Sequence, residues 1–280
     1  MDIVGVVVLY HPDIRIYENI KSYVSELKKL YILDNSEYTD DNIVTMISSF
    51  RNVEYVSFKE NKGLSYALNV GLRKAKGYSY LLTMDQDSCF LPGDFRKYKN
   101  KITQLATQEK YSSIAIFSVM YTGIKNEKKI KDDSFVESAI TSGSVLRMSL
   151  AKKIGEFDPK LFIDEVDNEY CYRALASGYK IWRFSDIKLK HELGIPNYQC
   201  ILGWDFVVLN HSAIRKYYIV RNRLYVAQKF PAVKGKYIKK IVSMFIKVLL
   251  FENDKISKIK HMVKGIRDFK AKRYGKYKSG

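Results

Sequence analysis

Three clusters of side chains in this 280-residue sequence are of the types and spacing that do chemistry. Asp85-Gln86-Asp87 follows the apolar and aromatic run 78–84, and in extended backbone residues i and i+2 point to the same side. Two carboxylates so placed converge on one hard divalent cation and a diphosphate; the plainer reading is a pair of solvated loop carboxylates. The segment 162–169 places Asp164, Glu165, Asp167 and Glu169 ahead of Tyr170-Cys171-Tyr172-Arg173. Acidic residues suit a helix N-terminus for capping and dipole reasons alone. A general base also belongs at such a start, facing a cleft close to the hydroxyl it deprotonates, and Asp167 is the residue for that task. His191-Glu192-Leu193-Gly194 closes a basic and apolar run; its imidazole is either a packed or surface residue, or it completes a metal shell or holds the diphosphate.

The elements around these clusters explain why they would meet. Residues 3–9 form a continuous apolar run suited to a parallel strand covered on both faces. Apolar residues at helical spacing over 16–30 predict a helix, and residues 30–33 a second strand ending in Asp34-Asn35-Ser36. The pattern repeats with a helix at 41–50, a strand at 53–58, a turn at Asn61-Lys62-Gly63, a helix at 64–75 and a strand at 78–84. Later come a helix at 94–105, strands at 114–119 and 180–184, a helix from about Ser149 and a charged surface loop at 125–133. Such alternation predicts an α/β protein with a doubly wound, mostly parallel sheet, whose ligands lie beyond the carboxyl ends of its strands. Asp34 ends a strand there: it either caps a turn or accepts a hydrogen bond from a pyrimidine base, with Tyr10 stacking nearby. Gly63 lets backbone approach a ligand or helps its helix pack, and packing is the reading for Gly71.

Composition narrows the choices. Hydrophobic residues make up 46% of the chain, enough for a full core, and Cys89, Cys171 and Cys200 are too scattered for a disulfide framework. No signal peptide and no membrane-spanning segment is predicted, since the apolar stretch 241–251 is short and holds Lys247. The net charge of +18 is uneven: residues 1–210 hold 28 Lys and Arg against 27 Asp and Glu, residues 211–280 hold 20 against 3. A nucleic-acid-binding protein would explain the charge, yet the near-neutral body carries no RRM, KH or helix-turn-helix signature. A nucleotidyltransferase would present a Gly-rich basic loop early, and Leu9-Tyr10-His11-Pro12-Asp13 is not one.

In this order, an opening strand ending in Tyr10, Asp34-Asn35-Ser36, Asn61-x-Gly63, Asp85-x-Asp87 and a carboxylate at Asp167 resemble family 2 glycosyltransferases, which have the GT-A fold, over about residues 3–225. Thr141-Ser142-Gly143-Ser144, Gly155-x-Phe157-Asp158, Phe162-Ile163-Asp164-x-Val166-Asp167, Arg173, Gly178-Tyr179, His191-x-Leu193-Gly194 and Tyr217-Tyr218-x-x-Arg221-Asn222 look like the rhamnosyltransferase branch. The resemblance implies that Asp34 reads a thymine or uracil ring and that Asp85 lies near the ribose, with Tyr10, Asn61, Gly63, Gln86 and Arg221 also at the nucleotide sugar. It implies Mg2+ or Mn2+ on Asp87, with His191 as a further metal ligand, and acceptor or sugar contacts from Ser142, Gly143, Asp164 and Glu165. Asp167 takes the place of the second residue of a Glu-Asp pair found in many relatives; Val166 precedes it here, so Asp167 is the sole base at that point.

The activity implied is that of an inverting, metal-dependent glycosyltransferase. It would move L-rhamnose from dTDP-β-L-rhamnose to a hydroxyl of a lipid-linked saccharide in cell-surface polysaccharide biosynthesis, of the O-antigen or capsule kind. A UDP-sugar donor is the alternative. The expected division is a GT-A domain over 1–210, binding the nucleotide sugar through about 1–120 and the acceptor through about 121–210, followed by a basic helical extension over 211–280. Lys and Arg alternating with apolar residues in that extension suit an anionic membrane surface, so the expected place is cytoplasmic, peripheral on the inner face of the cell membrane.

Overall fold

The computed structural model describes residues 1–122, 132–191, 197–201, 204–208 and 210–278, with 197–201 and 204–208 described in backbone pairing only. The strands are β1 (Ile3–Leu9), β2 (Lys29–Asp34), β3 (Val53–Ser57), β4 (Tyr80–Asp85), β5 (Ser88–Phe90), β6 (Ile114–Thr122), β7 (Ser134–Phe135), β8 (Ser144–Arg147), β9 (Lys180–His191), β10 (Asn197–Ile201) and β11 (Trp204–Val208). The helices are α1 (Ile16–Lys21), α2 (Asp41–Ser48), α3 (Leu64–Lys74), α4 (Asp94–Ala106), α5 (Met148–Ile154), α6 (Val166–Ala176), α7 (Ala213–Lys229), α8 (Lys234–Phe251) and α9 (Lys255–Lys270). Contacts divide the chain into two compact units, Met1–Asp158 with Asp167–Glu192, and Pro159–Val166 with Leu193–Gly280.

The first unit is built on one sheet in the order β3-β2-β1-β4-β8-β6-β9-β5, with β7 beside β9. β1 is parallel to β2 and β4, β2 to β3, and β6 to β9, whereas β8, β5 and β7 run antiparallel to their neighbours. The residues of β1 are buried except for the half-buried Val8, as a strand covered by helices on both faces requires. Helices α1, α2, α3 and α4 supply apolar stripes to that core, Ile16 and Ile20, Ile47, Leu68 and Leu72, and Phe95, Tyr98 and Ile102 among them. Gly71 packs as its sequence suggests, since a Cβ there would lie 2.9 Å from Val6. Midway along α3, the Asn69 side chain donates to Phe157 O at 2.9 Å and accepts from Phe157 N at 2.7 Å, a two-bond clamp on the segment after α5.

Three elements depart from the sequence pattern. The helix expected over 16–30 stops at Lys21, where the Ser22 hydroxyl donates to Asn19 O at 2.7 Å and accepts from Phe90 N at 3.1 Å. A 3-10 turn at Val24–Glu26 then carries the apolar residues inward, and Tyr23, Val24 and Leu27 are still buried. β9 runs well past the expected residue 184 to His191, because it gains β5 as an antiparallel partner. β8 enters the middle of the sheet in the antiparallel sense, which the repeating strand and helix pattern does not announce. The charged loop expected at 125–133 lies mostly outside the described residues, as do Glu192, Leu193 and Gly194.

In the second unit α7, α8 and α9 bury Ile219, Val220, Ile241, Met244, Val248 and Met262 against one another, and β10 pairs antiparallel with β11. Gly265 allows α9 to meet α7 closely: a Cβ there would lie 2.7 Å from Tyr217 O. The basic helical extension anticipated from the sequence is therefore present as packed helices. No described helix is long and apolar enough to cross a membrane.

Candidate active site

The carboxyl ends of β1, β2, β4, β6 and β9 fall along one edge of the sheet, and Tyr10, Asp34, Asp85, Tyr121 and His191 lie at or next to those ends. Because β8 runs the other way, its entry residues Thr141, Ser142 and Gly143 join the same edge. Gly143 N donates to Thr83 O at 2.9 Å, and the Thr83 hydroxyl donates to Thr141 O at 2.5 Å. Gly143 sits at φ 74, and a Cβ there would lie 2.9 Å from Leu189, so turn and packing both require glycine.

Asp85, Asp87 and His191 each bring a ligand atom within 4.8 Å of the others. The local cause is β5: after the Asp85-Gln86-Asp87 turn the chain folds back onto β9 and sets Ser88 directly across from His191. His191 Nδ1 then lies 2.7 Å from the Ser88 hydroxyl and 3.2 Å from Asp87 Oδ1. Two carboxylates and one imidazole, all half-buried, are a donor set that fits a divalent cation such as Mn2+ or Mg2+. Asp85 N donates to the Ser142 hydroxyl at 3.1 Å, tying the acidic turn to the entry of β8.

Tyr121, at the end of β6, is a residue sequence reasoning did not single out. Its hydroxyl donates to Ser142 O at 3.3 Å and its ring stands edge-on to His191 at 6.4 Å. Burial, with the nearby charges of Asp167, Cys171 and Asp85, holds its phenol far above the ordinary tyrosine range. A single tyrosine thus feels both Asp85 and Asp167. The one sequence signal for it is an aromatic side chain at the polar end of an apolar strand.

Asp167 lies in the first turn of α6, where its carboxylate accepts from Asn168 N at 2.8 Å. It lines a small cavity of about 20 Å3 with Thr83 of β4, Thr141 and Ser144 at the entry of β8, Tyr170 and Cys171. Burial raises the Cys171 thiol to about 12, with the Asp167 charge adding to it. α6 is anchored by Arg173, which grips Glu169 with two nitrogens at 3.0 and 2.9 Å and donates to Ile154 O and Glu156 O. Glu169 is therefore occupied as an ion-pair partner in the core.

At the β2 end, Asp34 is buried; Oδ1 accepts from Ser36 N at 2.9 Å, and Oδ2 accepts from the Thr39 and Tyr55 hydroxyls. Burial and then this carboxylate raise the Tyr55 phenol to about 12. Asn35 and Asn61 bond side chain to side chain at 3.0 Å, and Asn61 also accepts from Gly63 N at 3.1 Å, shaping a turn in which Gly63 sits at φ 90. Tyr10 is 46% exposed beside His11 and Tyr38, an open aromatic cluster of the kind on which a base stacks. The Gln86 amide bonds both ways with the Tyr10 backbone, at 2.7 and 3.0 Å, and so holds the end of β1 against the acidic turn.

The other expected ligand residues lie in the second unit. Asp164 and Glu165 hold consecutive left-handed conformations, φ 62 and 64. Asp164 pairs with Arg215 at 3.3 Å, and Glu165 accepts from Arg223 at 3.0 Å and from the Tyr237 hydroxyl at 2.8 Å. Burial raises the Asp164 carboxyl above its ordinary range. Arg221 is fully buried; it donates to the Tyr217 hydroxyl at 3.1 Å and Gly275 O at 2.9 Å, while its Nη2 has no hydrogen-bond partner.

A mostly parallel sheet with flanking helices and an acidic turn at its carboxyl edge is an arrangement of the GT-A kind. Residues 7–155 match the family described as Glycosyl transferase family 2, and the chain belongs to that family. A dTDP-rhamnosyl transferase, RfbF of Shigella flexneri, is 25% identical over 95% of this chain and 93% of its own length. Among solved structures, S. aureus TarS has a TM-score of 0.62 at 15% identity, covering 96% of this chain and 48% of that one. GalNAc-T7 with UDP, GalNAc and Mn2+ has a TM-score of 0.61 at 12% identity, covering 97% and 56%. This chain thus spans about half the length of those two solved chains.

Proposed function

We propose that this glycosyltransferase moves L-rhamnose from dTDP-β-L-rhamnose to a hydroxyl of a lipid-linked saccharide, with inversion at the anomeric carbon. The observation that carries the reading is the gathering of Asp85, Asp87 and His191 at one sheet edge. Asp34 takes the base and Asp85 the ribose side of the donor, with Tyr10, Gly63 and Asn61 shaping the nucleotide end. Ser142 and Gly143 border the sugar.

Asp167 accepts the proton of the acceptor hydroxyl as that oxygen attacks the anomeric carbon from the face opposite the leaving nucleoside diphosphate. Asp87 and His191 hold a divalent cation, Mg2+ or Mn2+, and when bound that ion neutralises charge growing on the leaving diphosphate. The base and the acidic turn come from different elements because attack and departure occur on opposite faces of the sugar, the separation inverting glycosidases also use. The rhamnosyl donor is supported by the name of the S. flexneri relative, and the cation by the donor set together with the Mn2+ named for GalNAc-T7. A UDP-sugar donor is the second reading, favoured by the UDP named in that same structure.

The test is sugar transfer from dTDP-rhamnose by the native chain and by Asp167→Asn. The expected loss is on the order of 10^2 to 10^4 in kcat with the melting temperature retained, the range for removing a positioned proton acceptor. Turnover near native in that variant removes Asp167 from the chemistry.

A further inference from the structure

We propose that the outward face of α8 is a docking surface for an anionic lipid bilayer. Two stripes run along this helix. Tyr237, Ile241, Met244 and Val248 are buried within the helical unit. Ile238, Val242, Ile246, Leu249 and Leu250 point outward and are 40%, 52%, 49%, 55% and 60% exposed. The first four recur at spacings of four, four and three residues, so they form one continuous stripe rather than scattered exposures. Ile238, Val242, Ile246 and Leu250 line an open apolar groove with Lys239, Ser243 and Lys247. A solvent-facing helix has no folding reason to carry such a row.

Charge decides what covers it. α8 carries Lys234, Lys236, Lys239, Lys240 and Lys247 and no Asp or Glu, in a segment 211–280 that holds 20 basic residues against 3 acidic ones. A second copy of the chain seated on this face would bring like charge against like. A bilayer with anionic headgroups answers both properties at once: the apolar stripe sinks into the headgroup boundary while the lysines reach sideways to the phosphates. The lysines within α8 rule out spanning, so the helix lies in the plane of the surface. This inference stands apart from the transferase chemistry, since none of the outward-facing side chains of α8 belongs to the sites described above.

The 280-residue chain is sedimented with vesicles of phosphatidylcholine alone and of equimolar phosphatidylcholine and phosphatidylglycerol, at low and high salt. The expected result is capture by the anionic vesicles only, weakened by salt. Val242→Ser, Ile246→Ser and Leu249→Ser combined should lower partitioning by about tenfold or more, with melting temperature and transfer to a soluble acceptor unchanged. Lys239→Glu with Lys240→Glu should lower capture and flatten its salt dependence. A native chain that ignores anionic vesicles, a triple variant that pellets as the native does, or equal capture by neutral vesicles overturns the proposal. So does a native dimer that the triple variant dissolves while neither form binds vesicles, which would assign the face to a second copy.

Discussion

At the scale of single residues, the acidic turn is organised before any ligand arrives. Asp87 is held by His191, His191 by Ser88, and Asp85 by its backbone bond to Ser142. Asp87→Ala should therefore lower apparent Mn2+ affinity on the order of 100-fold and weaken donor binding only when metal is present, measured by metal titration of sugar transfer. A loss of the same size in metal-free donor binding would mean that Asp87 acts on the sugar or nucleotide directly. Tyr121 supports the arrangement from behind. Tyr121→Phe keeps the ring against His191 and deletes the bond to Ser142 O, so kcat should fall by about tenfold with donor KM little changed and melting retained. Native kcat in that variant would reduce Tyr121 to a packing residue.

At the scale of elements, the sequence exposes some pieces and hides others for a physical reason. β1, β2 and β4 are legible because each is a short apolar run ending in polar residues, and the site residues Asp34, Asp85 and Asp87 follow from those ends. β8 and β5 are hidden because a four-residue and a three-residue strand show no period, and their place depends on partners far along the chain. That is why His191 reads from sequence as a lone histidine, though β5 brings it to Asp87. The sequence also leaves the turn before α7 unreadable. Burial, reinforced by Arg215 and Lys216, pushes the His211 imidazole down to about 4. Its folded value is below its unfolded one, so the neutral ring contributes stability that is full above about 6.5 and is lost as pH falls toward about 4. The lowered carboxylates Glu26, Glu54 and Asp186 act in a more acidic window. Urea midpoints should thus decline between pH 6.5 and 4, and His211→Gln should flatten that decline. Next to it, Glu252 is buried between Lys216 at 2.5 Å and Lys258 at 3.0 Å. Removing it in Glu252→Ala leaves two buried ammonium groups and should cost about 3 to 5 kcal/mol in denaturant unfolding.

At the scale of the whole molecule, charge and chemistry are kept in different parts of the chain. Residues 1–210 are nearly balanced, with 28 basic and 27 acidic residues, and they hold the acidic turn, whereas the excess of positive charge lies in 211–280. On the proposed reading, a nucleotide sugar bound through the acidic turn would need a divalent cation to bring its diphosphate there, because the local carboxylates alone would repel it. Donor binding would then be far tighter with metal than without it. Since a ligand that binds only the folded state stabilises it by RT ln(1 + [L]/Kd), dTDP-rhamnose at one hundred times its Kd should add about 2.7 kcal/mol. For a chain of this size that raises the melting temperature by several degrees, on the scale of about 2–4 °C per kcal/mol. The rise should appear with Mn2+ and vanish with a chelator. Persistence under chelation would detach Asp85, Asp87 and His191 from the donor, and a rise with UDP-sugars in place of dTDP-rhamnose would move the donor assignment to the second reading.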